Sequence, residues 1–573
     1  MFVAVVPNRK SPPAILLRET YRENGKVKNR TLANLTSWPA EKVEALRRAL
    51  RGDGAGVSTG TIEILRSLPH GHVAAALGMV RVLGVDRLLG SRRSRERDLL
   101  VALVVQRILG PASKFATARA LSGQTAHNSL GTLLDLGEVG EDELYEALDT
   151  LLSRQPRIEK ALADRHLVGG ELVLYDLTST WFEGHHCPLA RPGYSRDGRG
   201  STPQIVFGVL TDREGRPIAG EVFEGNTGDP ATVLTQIQKV KERFGIDRVV
   251  LVGDRGMITE ARLREDVRPS GLDWITALRA PAIKKLMRDG AIQLSLFEET
   301  DLAEISHPDF PDERLVVCKN PLLADQRTRK RNELLAATEK ALTEIVNATQ
   351  RRERPLRGSQ EIALRVGREI GRYRMRKHFV IEIDESTLTF RRNEESIRTE
   401  AATDGLYVVR TSLKAERMGA AEVVTSYKLL AHVERVFRSM KTVDLHVRPI
   451  HHRLPDRVRA HVLLCMLAYY VRWHMERQLA PLLFKDEDPT AGSARRRSVV
   501  APARRSEAAD EKAETKRTTD DRFPVQSLKS LLADLGTLTR NRIRTEAGEV
   551  DVLATPTPLQ ARAFELLGVS PRG

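Results

Sequence analysis

Cysteine is nearly missing from this chain. Cys187, Cys318 and Cys465 are the only three in 573 residues, they lie far apart, and none stands in a C-x-x-C pair. That spacing excludes a disulfide framework and a zinc ribbon, and it fits a reducing compartment. Long apolar runs are missing too. Val462 to Val471 is about half the length needed to span a bilayer and reads as a buried helix. The opening Met1-Phe-Val-Ala-Val-Val-Pro7 lacks the charged lead and long apolar core of a signal peptide, so no membrane partner is expected. Gly225-Asn-Thr-Gly228 lacks the Lys-Ser/Thr of a phosphate-binding loop, which argues against a nucleotide cofactor. His185-His186-Cys187 has no second pair at finger spacing, so it reads as a loop and not as a zinc site.

What the chain has in excess is positive charge. The formal charge is +15 and the sequence pI is near 9.8, enough to seek a polyanion. Charge alone leaves membrane-surface and ribosomal roles open, so motifs must decide.

The hydropathy pattern divides the chain. Residues 15 to 33 read as a hairpin turning at Asn24-Gly25, within an N-terminal segment 1–38. From 39 to 168 the pattern is helical, in segments such as Ala40 to Arg51, His72 to Leu89, Glu96 to Leu109 and Glu141 to Leu152. This is a candidate DNA-binding region, although no specific helix-turn-helix is visible. Between 169 and 280 three short strands (Leu172 to Leu177, Gln204 to Thr211, Pro217 to Phe223) precede alternating helix, strand, helix and strand. That order predicts an α/β fold with a ribonuclease H-like mixed sheet. An insertion, 281–403, is strand-like at Arg314 to Val317 and His378 to Ile383, with a charged helical middle from Ala324 to Arg372. Residues 404–480 return to the core. Residues 486–521 have almost no large apolar side chain and read as a disordered linker, followed by a C-terminal helical segment 522–573.

Two aspartates each close an apolar strand-like run: Asp176 in Glu171-Leu-Val-Leu-Tyr-Asp176 and Asp254 in Val249-Val-Leu-Val-Gly-Asp254. Glu434 follows far downstream on a helix. Hard cations such as Mg²⁺ take oxygen ligands and keep positions open for phosphate oxygens, and two such ions can clamp an in-line phosphoryl displacement. Each residue has a plainer reading. Asp254, before Arg255-Gly256, can cap a turn, and a lone helical glutamate is ordinarily a solvated charge. Convergence is what sets the three apart, because clustered carboxylates repel unless a cation neutralises them. At about 100° per residue, Tyr427, Leu430, Glu434, Arg438 and Lys441 fall within an arc of about 80°, which predicts one stripe.

Several stretches together resemble the DDE transposases of bacterial insertion sequences, in the insertion-sequence-four superfamily and its sixteen-thirty-four branch. They are Tyr175-Asp176-Leu-Thr-Ser-Thr-Trp-Phe-Glu183-Gly184, Gly193-Tyr-Ser-Arg-Asp197-Gly-Arg199 with Gln204, Gly225-Asn-Thr-Gly-Asp229, Val252-Gly-Asp254-Arg-Gly256, and the helix Tyr427 to Lys441. The likeness covers roughly 170 to 475. It implies a ribonuclease H-like catalytic core, a largely β insertion before the Glu helix, and cutting and rejoining of DNA at element ends. Asp176, Asp254 and Glu434 would be catalytic and hold two Mg²⁺ ions, with Mn²⁺ able to substitute, while Tyr427, Arg438 and Lys441 position the DNA backbone. The family's Glu helix carries an arginine three residues after its tyrosine. Leu430 stands there instead, and Arg438 is the substitute on the stripe.

The expected protein is a transposase acting on double-stranded DNA, both terminal inverted repeats and target, in the bacterial cytoplasm at the nucleoid. It would work as a homodimer in the DNA complex because two ends must be joined. The alternatives are a nuclease without strand transfer and an inactive DNA-binding repressor. Some relatives stack a flipped base on a tryptophan in the insertion. Trp38, Trp181, Trp274 and Trp473 all lie outside 281–403, which leaves Phe379, Phe390 and Tyr407 as candidates.

Overall fold

The computed structural model describes residues 1–8, 12–23, 26–51, 62–167, 171–184, 186–198, 202–297, 300–496, 498–545 and 548–573. They form two units, one of residues 1–68 with 539–555, the other of residues 69–538 with 556–573.

In the first unit, strands Phe2–Val6, Ala14–Glu23 and Lys26–Asn34 form an antiparallel meander followed by helix Ala40–Arg51. The expected hairpin is present, with Glu23 paired to Lys26, and its turn, Asn24-Gly25, lies outside the described residues. A second sheet joins Glu63–Pro69 to the distant strands Thr539–Thr545 and Gly548–Leu553. These three strands fall where the sequence predicts helix. Arg540-Asn-Arg-Ile-Arg544 alternates without an apolar face; Arg540 pairs with Asp551 across its own hairpin at 3.0 Å, and the pair of Arg544 with Glu63 at 2.8 Å appears only once the two distant segments meet.

The second unit is built on an eight-stranded mixed sheet. In chain order its strands are β1 (Leu172–Trp181), β2 (Gln204–Asp212), β3 (Pro217–Glu224), β4 (Val250–Val252), β5 (Asp273–Ala277), β6 (Leu302–Ile305), β7 (Arg314–Lys319) and β8 (Leu406–Thr411). Their spatial order is β6-β7-β8-β5-β4-β1-β2-β3. β4 runs parallel to β1 and β5 parallel to β4, while the remaining pairs are antiparallel. Leu, Val and Ile dominate β1, β2 and β4, whose side chains are almost all buried, as a sheet covered on both faces requires.

Two strands of the expected insertion, β6 and β7, extend this sheet. Pairing between β7 and β8, nearly ninety residues apart, cannot be seen in a local pattern. The separately packed part is mainly helical, as the charged middle from Ala324 to Arg372 predicts, and not largely β as the resemblance implies. It comprises α1 (Pro321–Thr349), α2 (Ser359–Tyr373), a hairpin of Phe379–Ile383 with Leu388–Arg392, and helix Glu394–Ala401. Leu335, Leu342, Ile362, Val366, Ile370 and Phe379 form its core.

After β8 come α3 (Ala420–Lys428), α4 (Leu430–Arg438) and α5 (Pro455–Gln478). α5 is buried almost all round, as the Val462 to Val471 run predicts, and it packs on helices Gly71–Val82, Arg95–Leu109 and Glu141–His166 and on β3. Glu159 of Glu141–His166 is fully buried and receives Gly220 N–H of β3 at 3.1 Å, Arg243 at 2.6 Å and Lys239 at 3.4 Å. Among the described residues no single helix is long and apolar enough to cross a membrane. Where a disordered linker is expected at 486–521, the described residues include helices Pro489–Ala494 and Glu507–Thr515. Polar contacts hold them: the buried Lys512 ammonium donates to Ala480 O at 2.9 Å, Lys485 O at 2.8 Å and Glu487 at 2.6 Å.

Candidate active site

The register of β1 and β4 decides where the two aspartates fall. Leu172 pairs with Val250, Val173 with Leu251 and Leu174 with Val252, so Asp176 and Asp254 stand at matching positions two residues beyond the last pair. Because the strands are parallel, both carboxylates leave the sheet at the same end. This is where open α/β sheets bind ligands.

Asp176 lies among residues buried on both sides, and its Oδ1 accepts the Leu177 N–H at 2.8 Å. Burial pushes its carboxyl up to about 7, and the charges of Asp254 and Glu434 push the same way against the Leu177 N–H and Arg196. Asp254 Oδ1 accepts the N–H groups of Gly256 at 2.6 Å and Met257 at 2.9 Å. The turn-capping reading of Asp254 is therefore realised alongside its place at the strand end. A Cβ at residue 256 would come within 3.0 Å of Asp254 Oδ1, which accounts for the glycine. Arg279 braces the same turn through Arg255 O at 3.2 Å and Gly256 O at 3.4 Å.

Glu434 is exposed on α4, and its charge reaches Asp176 and Tyr427. Tyr427, near the end of α3, has its hydroxyl pushed up to about 12 by burial first and by Asp254 next. The structure therefore brings Asp176, Asp254, Glu434 and Tyr427 into one electrostatic neighbourhood. The single stripe does not survive. The helix breaks at Leu429, and Ser439–Val443 is a π-helical turn that changes the phase of everything after it. Arg438 stays exposed one turn beyond Glu434, whereas Leu430 is buried at 8% exposure. Lys441 is buried at 8% exposure and pairs with Asp197 at 3.4 Å. Burial lowers its ammonium pKa and Asp197 partly restores it.

Residues the site reading passed over hold the surroundings. Arg196 pairs with Asp229, and its N–H donates to Ser179 Oγ of β1 at 3.0 Å. Its charge opposes the rise at Asp176. Gln204 donates to Tyr194 O and Gly225 O, both at 2.9 Å, which ties the two glycine-containing loops together. Arg448 donates to Asp197 at 2.9 Å and lies 3.6 Å from the Trp181 ring centre, while Trp181 donates to Glu183 at 2.7 Å. The signal was the motif itself: Arg196, Asp197, Gln204 and Asp229 lie in the quoted stretches, without a chemistry that spacing alone could assign.

Other candidates separate from this place. Phe379 and Phe390 pack on each other, 6.2 Å apart, within the insertion's core, and Tyr407 lies on β8 beside Cys318. His452 is half-buried against the Tyr145 and His461 rings, and burial lowers its pKa to about 3. His185 and Arg199 lie outside the described residues. Among the described residues, Asp289, His307 and Asp309 have candidate ligand atoms all within 4.8 Å of one another, but Asp309 is paired with Lys285 at the surface.

The donor chemistry at the strand ends fits a divalent cation. Asp176 and Asp254 offer hard oxygen ligands there and the Glu434 charge reaches Asp176 from α4, though the ligand atoms of the three are not all within 4.8 Å of one another; Asp176 carries burial and negative surroundings that a cation would relieve. A family model described as "Transposase DDE domain" matches residues 171–471, and one described as "IS1634 family transposase, N-terminal domain" matches residues 3–59. No curated protein matches the chain. The first match spans more than half of the 573 residues and contains Asp176, Asp254 and Glu434, and the second covers the N-terminal meander and the helix after it. The chain belongs to the DDE transposases, in the IS1634 family.

Proposed function

We propose that Asp176, Asp254 and Glu434 are the catalytic residues, that they hold two Mg²⁺ ions or Mn²⁺ in their place, and that the protein cuts and rejoins DNA at the ends of its own element. The observation that carries this reading is the parallel register that sets Asp176 and Asp254 side by side, within reach of the Glu434 charge. The strand order β3-β2-β1-β4-β5, with the first three antiparallel and the rest parallel, supports a ribonuclease H-like core.

In the first step water adds to the phosphorus at the element end and the P–O3′ bond breaks, leaving a 3′-hydroxyl and a 5′-phosphate. In the second that 3′-oxygen attacks a target phosphorus and the target's own 3′-oxygen leaves, so phosphodiester number is conserved. Bound divalent cations supply activation of the attacking oxygen and charge neutralisation at the leaving one. The chain's own groups set the geometry. The Asp254 turn, braced by Arg279, fixes one carboxylate. Tyr427 stays protonated at neutral pH and donates to a substrate phosphate oxygen, and Arg438 extends the contact along the backbone. Lys441 pairs with Asp197, which holds the loop that carries Arg196, and adds its charge to the contact with the DNA backbone. Sequence readout of the inverted repeats is assigned to the N-terminal region and joining of paired ends to a homodimer, acting at the bacterial nucleoid.

Purified protein given its element's end DNA should nick it and transfer labelled ends to a plasmid only with Mg²⁺ or Mn²⁺. Full activity after Asp254→Ala would overturn the assignment. Cleavage without joining would favour a nuclease, and binding without metal-dependent cleavage a repressor.

A further inference from the structure

The chain's positive charge is unevenly placed. Residues 321–378 contain 15 Lys and Arg against 7 Asp and Glu, which is more than half of the net +15 in about a tenth of the length. This segment is α1, α2 and their connection, and an open groove of about 610 Å³ runs between the two helices. Its floor is formed partly by the small side chains of Ala337, Ala341 and Ala348 of α1. Along one wall stand Arg365, Arg368 and Arg372 of α2, all exposed. Spaced i, i+3 and i+7, they fall within an arc of about 60°. On the opposite face of α2, Ile362, Val366 and Ile370 are buried in the insertion's core, so the arginine face is held outward by packing.

We propose that this groove is a docking surface for the phosphate backbone of duplex DNA, made wholly of inserted residues and distinct from the carboxylate site. The step from Arg365 to Arg372 is about 10 Å along the helix axis, which matches about three phosphate steps of one strand along the duplex axis. The existing partners of these arginines are weak ones. Glu361 lies 3.4 Å from Arg365 and Glu369 3.8 Å from Arg372, with both arginines about half exposed or more. Exposed pairs of that kind contribute little to stability, so a phosphate can replace the carboxylate. The contact is with the phosphate backbone and is therefore independent of sequence. The inference rests on the transposase reading only in taking DNA as the polyanion.

The test is equilibrium binding of the full chain to duplex DNA, the element end and an unrelated duplex, across a salt series without divalent cations. In the triple variant Arg365→Gln, Arg368→Gln, Arg372→Gln, the slope of log affinity against log salt should become shallower by about 2 to 3, and both duplexes should be weakened equally. Glu361→Gln, which frees Arg365, should tighten binding to both, a gain that a folding defect cannot mimic. An unchanged slope in the triple variant with no gain from Glu361→Gln would overturn the proposal. If the triple variant shows the shallower slope but wild-type protein never cleaves, the docking surface stands and the catalytic reading falls. If it cleaves element ends while the triple variant keeps the wild-type slope, the docking surface alone falls.

Discussion

The central sheet and the inserted helices handle charge in opposite ways. Against the central sheet ionic groups are buried and answered by specific partners, as at Glu159 beside β3 with Arg243 and Lys239, or desolvated among like charges, as at Asp176. On α1 and α2 the charges are numerous and mostly exposed and loosely paired, Arg331 with Asp404 at 2.7 Å being a buried exception. A buried carboxylate near other carboxylates is relieved by taking up a proton or a cation, and this suits a site meant to bind a cation. A solvated arginine row needs no such relief and can exchange partners, which suits a surface meant to hold a polyanion at many positions. The two regions differ in how much one side chain matters.

That difference can be broken or sharpened by substitution. The largest effect is expected at the carboxylates: Glu434→Gln should lower metal-dependent strand cleavage by roughly 10³-fold or more, read in single-turnover assays, a loss of about 4 kcal/mol in transition-state stabilisation. Next comes Glu159→Ala, which leaves Lys239 and Arg243 without their buried partner and should destabilise the second unit by about 3 kcal/mol or more in denaturant unfolding.

Asp176→Asn should do the reverse. The folded carboxyl sits near 7 against an ordinary 3.8, so between those values the folded state binds more protons than the unfolded one and wild-type stability falls as pH rises. The asparagine variant escapes that loss. Measured without divalent cations, its advantage should be small near pH 4 and grow to on the order of 1–3 kcal/mol by pH 7, while its cleavage activity disappears. The smallest effect belongs to the insertion surface. Arg392→Ala removes the pair with Glu339 at 2.6 Å and should change stability by less than about 1 kcal/mol. A loss there as large as at Glu159 would erase the contrast.

Much of the carboxylate site was legible because local patterns carry it. Apolar runs ending in Asp176 and Asp254 are strand signals in themselves, and an eight-residue run from Tyr427 to Glu434 is a helix signal. The burial of Lys441 was not legible, since a helical wheel assumes uniform phase and the break at Leu429 and the turn Ser439–Val443 change it. Nor were β6 and β7 placed in the central sheet, because their neighbours are set by pairing across nearly ninety residues. The order in 486–521 escaped notice for a related reason: capping and ammonium-to-carbonyl bonds, such as those of Ser506 and Lys512, leave no mark on hydropathy. Arg196 and Asp229 were visible as motif members, but only folding shows that one answers the other beside Asp176.

The three-stranded sheet of the first unit has a consequence for how the protein is made. Strand Glu63–Pro69 lies beside Thr539–Thr545, which leaves the ribosome about 470 residues later. At roughly 5–20 residues per second that is a delay of about half a minute to a minute and a half. During translation the early strand carries an unpaired edge, and every incomplete product keeps one. A chain released before Thr539–Thr545 is made would therefore lack a finished first unit even when the eight-stranded sheet of the second unit is whole, so assembly of this small sheet records that synthesis has passed residue 545.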